Sequence, residues 1–144
     1  MRFVKFFIGV CSVILLSGCI AEEYDYTPPS VTIVYSDIEM IESNIDWTKD
    51  EEYKKVTEDI LELAKEQPLV SVEAGKEDYL DFDSQDFAIE ELTISVWQGK
   101  KQTLLELKKG QRFNYPSEAG EYVVEVNLIS DNGTAQYVAN ILVE

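Results

Sequence analysis

The dipeptide Asn132-Gly133 stands between two runs in which apolar and polar residues alternate, Glu121 to Ile129 before it and Ala135 to Val143 after it. Asn and Gly tolerate positive φ at low cost, and such a pair between alternating runs is a strong local signal for a β-hairpin. The turn is read as Ser130-Asp131-Asn132-Gly133.

The same period of two recurs upstream. Ile89 to Gln98 reads as a strand with Leu92, Ile94 and Val96 on one side and Thr93, Ser95 and Trp97 on the other. In Tyr79-Leu80-Asp81-Phe82-Asp83 the apolar side chains Leu80 and Phe82 share one face and the carboxylates take the other. Leu69 to Val72, Thr103 to Leu107 and Arg112 to Tyr115 are shorter strand candidates. Val31 to Tyr35 is β-branched and aromatic and reads as a first strand, with Glu39 to Ile45 a weaker second.

One segment carries a different period. Thr48-Lys49-Asp50-Glu51 has the spacing of a capping box. Tyr53, Val56, Ile60, Leu63 and Ala64 then recur at helical intervals until Gln67-Pro68 stops the run. This predicts a helix over about 49–66 that caps the sheet with its apolar stripe and shows Glu51, Glu58, Glu62 and Glu66 to solvent. Seven or eight short strands at regular intervals with one helix indicate a mainly β protein, an antiparallel β-sandwich with one inserted α-helix.

Within residues 110–144, Glu118, Gly120 and Tyr122 have the spacing seen at the start of the penultimate strand of immunoglobulin-like domains. The segment resembles the last three strands of that family. The resemblance implies that the Tyr122 hydroxyl ties back to the preceding corner. Val124 stands where an antibody domain has its second Cys, so the inter-sheet disulfide is absent.

The N-terminus has a separate logic. Arg2 and Lys5 precede the apolar run Phe6 to Leu16, which is too short for a permanent span of a hydrocarbon core about 30 Å thick. It reads as an export signal that closes on Leu16-Ser17-Gly18-Cys19. An aliphatic residue, two small residues and Cys make this segment similar to the lipobox of bacterial lipoproteins. The layout also resembles small lipoproteins of Gram-positive bacteria. The resemblance implies cleavage between Gly18 and Cys19 and a diacylglyceryl group on Cys19, which would hold the protein at the extracytoplasmic face of the cell membrane. Residues 1–18 are then the signal peptide, 19–29 the lipidated Cys with an acidic tether stiffened by Pro28-Pro29, and 30–144 the folded domain.

Charge and composition narrow the chemistry. The 144 residues include 12 Lys plus Arg, 28 Asp plus Glu and no His, a formal −16. Loss of the signal removes two cations and no acid, leaving ten basic residues against 28 acidic ones, a formal −18. A field of that sign opposes contact with nucleic acid. The lack of His excludes Ser-His and Cys-His nucleophile systems, and with Cys11 removed and Cys19 acylated no thiol is left for a disulfide, a zinc site or catalysis.

Three candidate sites follow. The acidic stretch from Glu77 to Asp86 suggests a Ca²⁺ site at Asp81, Asp83 and Asp86. It fails the EF-hand pattern, because Asp86 falls where Gly is required and Leu92 where Glu is required. Alternation equally makes Asp81 and Asp83 the wet face of a strand. Trp47, Trp97, Tyr115 and Tyr137 would form either an aromatic platform or parts of the core. Trp97 is the best candidate for partner binding, since alternation sets it opposite Leu92, Ile94 and Val96, on an outer face or under the helix. Lys100, Lys101, Lys108 and Lys109 form two small basic groups in turns, and Asn132-Gly133-Thr134 has the form of a glycosylation sequon but reads as a turn. The expected function is a non-catalytic interaction or envelope-accessory module for an envelope protein. A cation-binding surface lipoprotein is the alternative, and a glycan hydrolase using two carboxylates is third.

Overall fold

The structure is a computed structural model that describes residues 27–144. The signal segment, Cys19 and the tether as far as Tyr26 lie outside the described residues.

The hairpin is formed by β10 (Gly120–Ser130) and β11 (Gly133–Val143), paired in unbroken register from Gly120↔Val143 to Ser130↔Gly133. Asp131 and Asn132 make the loop, but the positive φ falls on Gly133 (135°) and not on Asn132. A Cβ at Gly133 would sit 2.0 Å from the Asp46 carbonyl oxygen. Glycine is required here less for the turn than for the close approach of the neighbouring strand.

Further strands complete two sheets. The larger runs β4 (Glu51–Lys55), β3 (Ile41–Lys49), β11, β10, β7 (Ile89–Gln98) and β8 (Lys101–Leu105). Its seventh strand, β5 (Val70–Val72), pairs in parallel with the C-terminal part of β11. The smaller sheet runs β2 (Ile38–Glu39), β1 (Val31–Ile33), β6 (Glu77–Phe82) and β9 (Arg112–Asn114). The two pack face to face as a β-sandwich. Its core joins Val31, Ile33, Leu80 and Phe113 of the small sheet to Trp47, Ile94, Val124, Val126, Tyr137 and Ile141 of the large one. The Tyr122 hydroxyl donates to the Glu118 carbonyl at 3.0 Å, the corner bond expected of an immunoglobulin-like sandwich.

The expected helix over 49–66 is mostly replaced by strand. Residues 41–55 form the β3–β4 hairpin, which turns at Asp50 with φ 62°. Within 49–66 the helix is confined to α1 (Ile60–Lys65), capped by the Asp59 carboxylate accepting from the Leu61 and Glu62 amides. The hairpin prevails because it sets Tyr53 directly across from Trp47, whose indole is buried, whereas Val56 of the supposed apolar stripe is 86% exposed. The Thr48-to-Glu51 spacing is a coincidence of composition. Glu51 belongs to a strand, and the helix is a single short segment lying on the outer face of the large sheet over Val123 and Val138.

The first residues of the domain also differ from expectation. Pro28 and Pro29, assigned to the tether, are buried. The Tyr137 hydroxyl donates to the Pro29 carbonyl at 2.6 Å, and Ser30 and Asp83 exchange two hydrogen bonds. The packed domain therefore includes the two prolines. The first strand stops at Ile33 rather than Tyr35, and the next long strand begins at Ile41 and runs to Lys49.

Candidate functional site

Alternation along β7, β10 and β11 sends a second set of side chains away from the core, onto the outer face of the large sheet. Trp97 and Ser95 of β7, Glu125 and Asn127 of β10, and Gln136 of β11 lie there side by side, as the pairings Glu125↔Ser95 and Asn127↔Gln136 require. Glu125 is at the centre and only 5% exposed. Its Oε1 accepts from the Trp97 indole N–H at 2.8 Å, and its Oε2 accepts from the Gln136 amide at 3.2 Å and from the Asn127 amide. A buried carboxylate is costly unless its lone pairs are filled, and here three neutral N–H donors fill them with no lysine or arginine among the partners.

The network continues to the sheet edge. Between Ala135 and Tyr137 the β11–β3 register slips, so that Ser43 and Asn44 of β3 both face Gln136. The Gln136 Oε1 accepts from the Ser43 hydroxyl at 2.8 Å and from the Asn44 amide at 2.7 Å. Asn44 Oδ1 in turn accepts from the Thr57 amide at 2.8 Å, which holds the segment leading into α1. The chain of bonds thus fixes the Trp97 ring, three strands and the base of the helix as one unit. Leu104 of β8, directly opposite Ser95 and 69% exposed, borders this face, as does Ile129.

Trp97 accordingly sits both on the outer face and beside the helix. It is half-buried and packs against the cluster of Ala64, Val123 and Val138 together with Leu61. Trp47, Tyr115 and Tyr137 are buried core residues, so the four aromatics do not form a common platform. Glu125 itself was not singled out in the sequence. The available signal was its parity with Trp97 across paired outward positions, which needs the register of β7 against β10.

A second buried carboxylate, Asp78 of β6, organises the other sheet. It is 1% exposed and accepts from the Tyr35, Ser36 and Tyr79 amides and from the hydroxyls of Ser36 (2.7 Å) and Tyr115 (2.9 Å). This knits the β1–β2 turn to β6 and to the corner before β10. Burial, with the neighbouring Asp78 charge adding to it, holds the Tyr115 hydroxyl well above the ordinary tyrosine range.

The residues proposed for Ca²⁺ are dispersed among other partners. Asp81 is exposed on β6, Asp83 accepts from the Ser30 amide at 2.7 Å, and Asp86 meets Lys49 at 3.2 Å. Among the described residues no group of three or more Asp, Glu, His or Cys is gathered for a metal ion. Of the four lysines, Lys108 lies 3.6 Å from Glu77, and the hydrogen bond from Arg112 holds the Glu77 carboxyl below its usual range. No helix among the described residues is long and apolar enough to cross a membrane. Compared with known families and with curated proteins, the chain matches no family model and no curated sequence.

Proposed function

We propose that this chain is a lipid-anchored protein of the extracytoplasmic face of the cell membrane, and that its sandwich is a non-catalytic module for contact with another envelope component. The observation that carries the reading is the ordered N-terminal pattern of Arg2 and Lys5, an apolar run, and Leu16-Ser17-Gly18-Cys19. The buried Pro28 and Pro29 support a close attachment. Nine peptide steps separate Cys19 from Pro28, so the domain would stand no more than about 30 Å from the lipid even on a fully extended chain.

The outer face around Glu125 suits a contact surface. Its polar side chains are held by one another, so little side-chain entropy remains to be lost on binding. Leu104 and the exposed part of Trp97 supply apolar area beside them.

The test has two parts. Cell fractionation should find the full-length protein in membranes, released by detergent, and should find Cys19→Ala no longer anchored as a lipoprotein. Crosslinking in intact cells should then join the anchored protein to a defined envelope protein, and Leu104→Asp should abolish that product without altering the fold. Equal membrane retention of Cys19→Ala would defeat the anchor, and an unchanged crosslink with Leu104→Asp would defeat the contact face.

A further inference from the structure

Along β11 the flanking partner changes. β3 covers it as far as the pair Val138↔Ile41, and β5 takes over at Ile141↔Val70. Ala139 and Asn140 fall between, with no strand beside them on that flank. The gap opens as a cleft of about 450 Å³ between β2 and the segment that joins α1 to β5. It is lined by the apolar Ile38, Pro68, Val70 and Ala139, by Gln67 and Asn140, whose side-chain amide donates to the Gln67 carbonyl, and by the acids Asp37 and Glu39.

The charged residues of the lining are all of one sign. Both carboxylates are exposed, no lysine or arginine lines the cleft, and neither acid belongs to an ion pair among the described residues. A cleft that sets Ile38, Pro68, Val70 and Ala139 beside two acids, with the polar Gln67 and Asn140 completing its lining, is complementary to a hydrocarbon stem bearing a cation. The whole chain's excess of acid would favour approach of such a partner. A guanidinium fits better than an ammonium, because its planar fork of donors bonds a carboxylate through two parallel hydrogen bonds while its weak hydration lets the stem lie against apolar side chains.

We propose that this cleft binds an arginine side chain presented by an extended segment of a partner protein. The proposal takes its setting from the reading of the domain as a contact module, and it names a second contact, on a different flank from Trp97 and Glu125.

The test uses the full chain in a neutral detergent and a fluorescent octapeptide with one arginine among serines and valines, compared with the same peptide carrying lysine or citrulline. Replacing arginine by citrulline should weaken binding by about tenfold or more, as expected when a charged hydrogen-bonded pair is lost, and lysine should fall between them. Asp37→Asn with Glu39→Gln should cause a similar loss. Asp37 has φ 52°, a conformation Asn adopts readily, so this variant keeps the turn. As a control for the long-range field, Glu51→Gln with Glu52→Gln removes the same charge from β4 and should change binding less than about twofold, since exposed charges beyond a Debye length are screened. A benzophenone beside the arginine should crosslink to residues 37–39 or 67–70. Unchanged binding by the Asp37/Glu39 variant, or an equal loss in the β4 control, overturns the cleft. Either result leaves the anchor at Cys19 untouched, just as loss of the anchor would leave the cleft intact.

Discussion

The indole N–H of Trp97 donates to Glu125 across two paired strands at 2.8 Å, on the face of the sheet turned away from the core. This bond makes Trp97 a support for a buried charge as well as a surface residue. Trp97→Phe keeps most of the ring but leaves Oε1 of a buried carboxylate short of a donor, at an expected cost of about 1–3 kcal/mol. Trp97→Ala also removes the ring from beside α1 and should cost about 3–5 kcal/mol. Urea unfolding measures both, and a Trp97→Phe protein as stable as the parent would show that the bond contributes nothing.

Asp78 accepts from five donors contributed by three segments. Asp78→Ala leaves the part-buried Tyr35, Ser36 and Tyr79 amides and the buried Tyr115 hydroxyl without their acceptor, and the expected loss is about 3 kcal/mol. Hydrogen exchange should show the effect first as lost protection at Tyr35 and Ser36. Unaltered exchange there would mean that the turn holds itself.

Gly133 is the position where a single methyl group should do most harm for its size. Gly133→Ala places a carbon on the Asp46 carbonyl, so either the β10–β11 turn or the start of the β11–β3 pairing must give way. The expected cost exceeds about 2 kcal/mol, more than the roughly 1 kcal/mol range of strand propensity alone. Thermal unfolding of this variant beside Gly99→Ala, where nothing lies within 4 Å, separates collision from backbone strain.

Tyr115 and Tyr137 are buried, and burial holds both hydroxyls above the usual range, with the Glu42 charge adding to the effect at Tyr137. A raised folded value means that the unfolded chain loses its protons first. The stabilising contribution is complete below pH about 10, the ordinary tyrosine value, and declines as pH rises through the unfolded value toward the folded one. Stability should fall there by about 1.4 kcal/mol per pH unit for each tyrosine. Denaturant titrations across this range should show a shallower fall in Tyr115→Phe with Tyr137→Phe, and identical slopes would contradict the assignment.

The anchor proposed at Cys19, taken with the fold, predicts an orientation. Ser30 is bonded to Asp83, and the β6–β7 loop that Asp83 opens is tied through Asp131 and Asp86 to the β10–β11 turn. The β7–β8 turn at Gly99 and Lys100 is at the far end of β7 from that group, since Ile89 pairs with Ser130 and Gln98 with Lys101. On vesicles carrying the lipidated protein, a probe at Asn132 should be quenched by lipid-borne quenchers more than one at Lys100. Equal quenching would contradict attachment through the 28–30 end.

Much of the β architecture was legible in local pattern. Ile89 to Gln98 needs only its period of two, and the corner bond of Tyr122 was expected from the resemblance to immunoglobulin-like domains that Glu118, Gly120 and Tyr122 carry. Residues 48–56 were not legible in this way, because the decisive contact is Tyr53 on Trp47 and a window of helical spacing contains no information about a strand partner. The buried prolines were missed for a related reason, since the acceptor they offer is met by Tyr137, distant in sequence.

The sequence by itself determined the alternation that makes a two-sheet sandwich, the charge, the lack of His and the Leu16-Ser17-Gly18-Cys19 pattern, because each is a property of composition or of residues close together in the chain. Only the tertiary structure decided that Glu125 is buried beside Trp97, that β11 leaves a gap between β3 and β5, and that Gly133 serves a neighbouring strand. These depend on register and on the meeting of segments far apart in sequence, and a residue's own neighbours along the chain cannot specify which donor, wall or carbonyl will stand across from it.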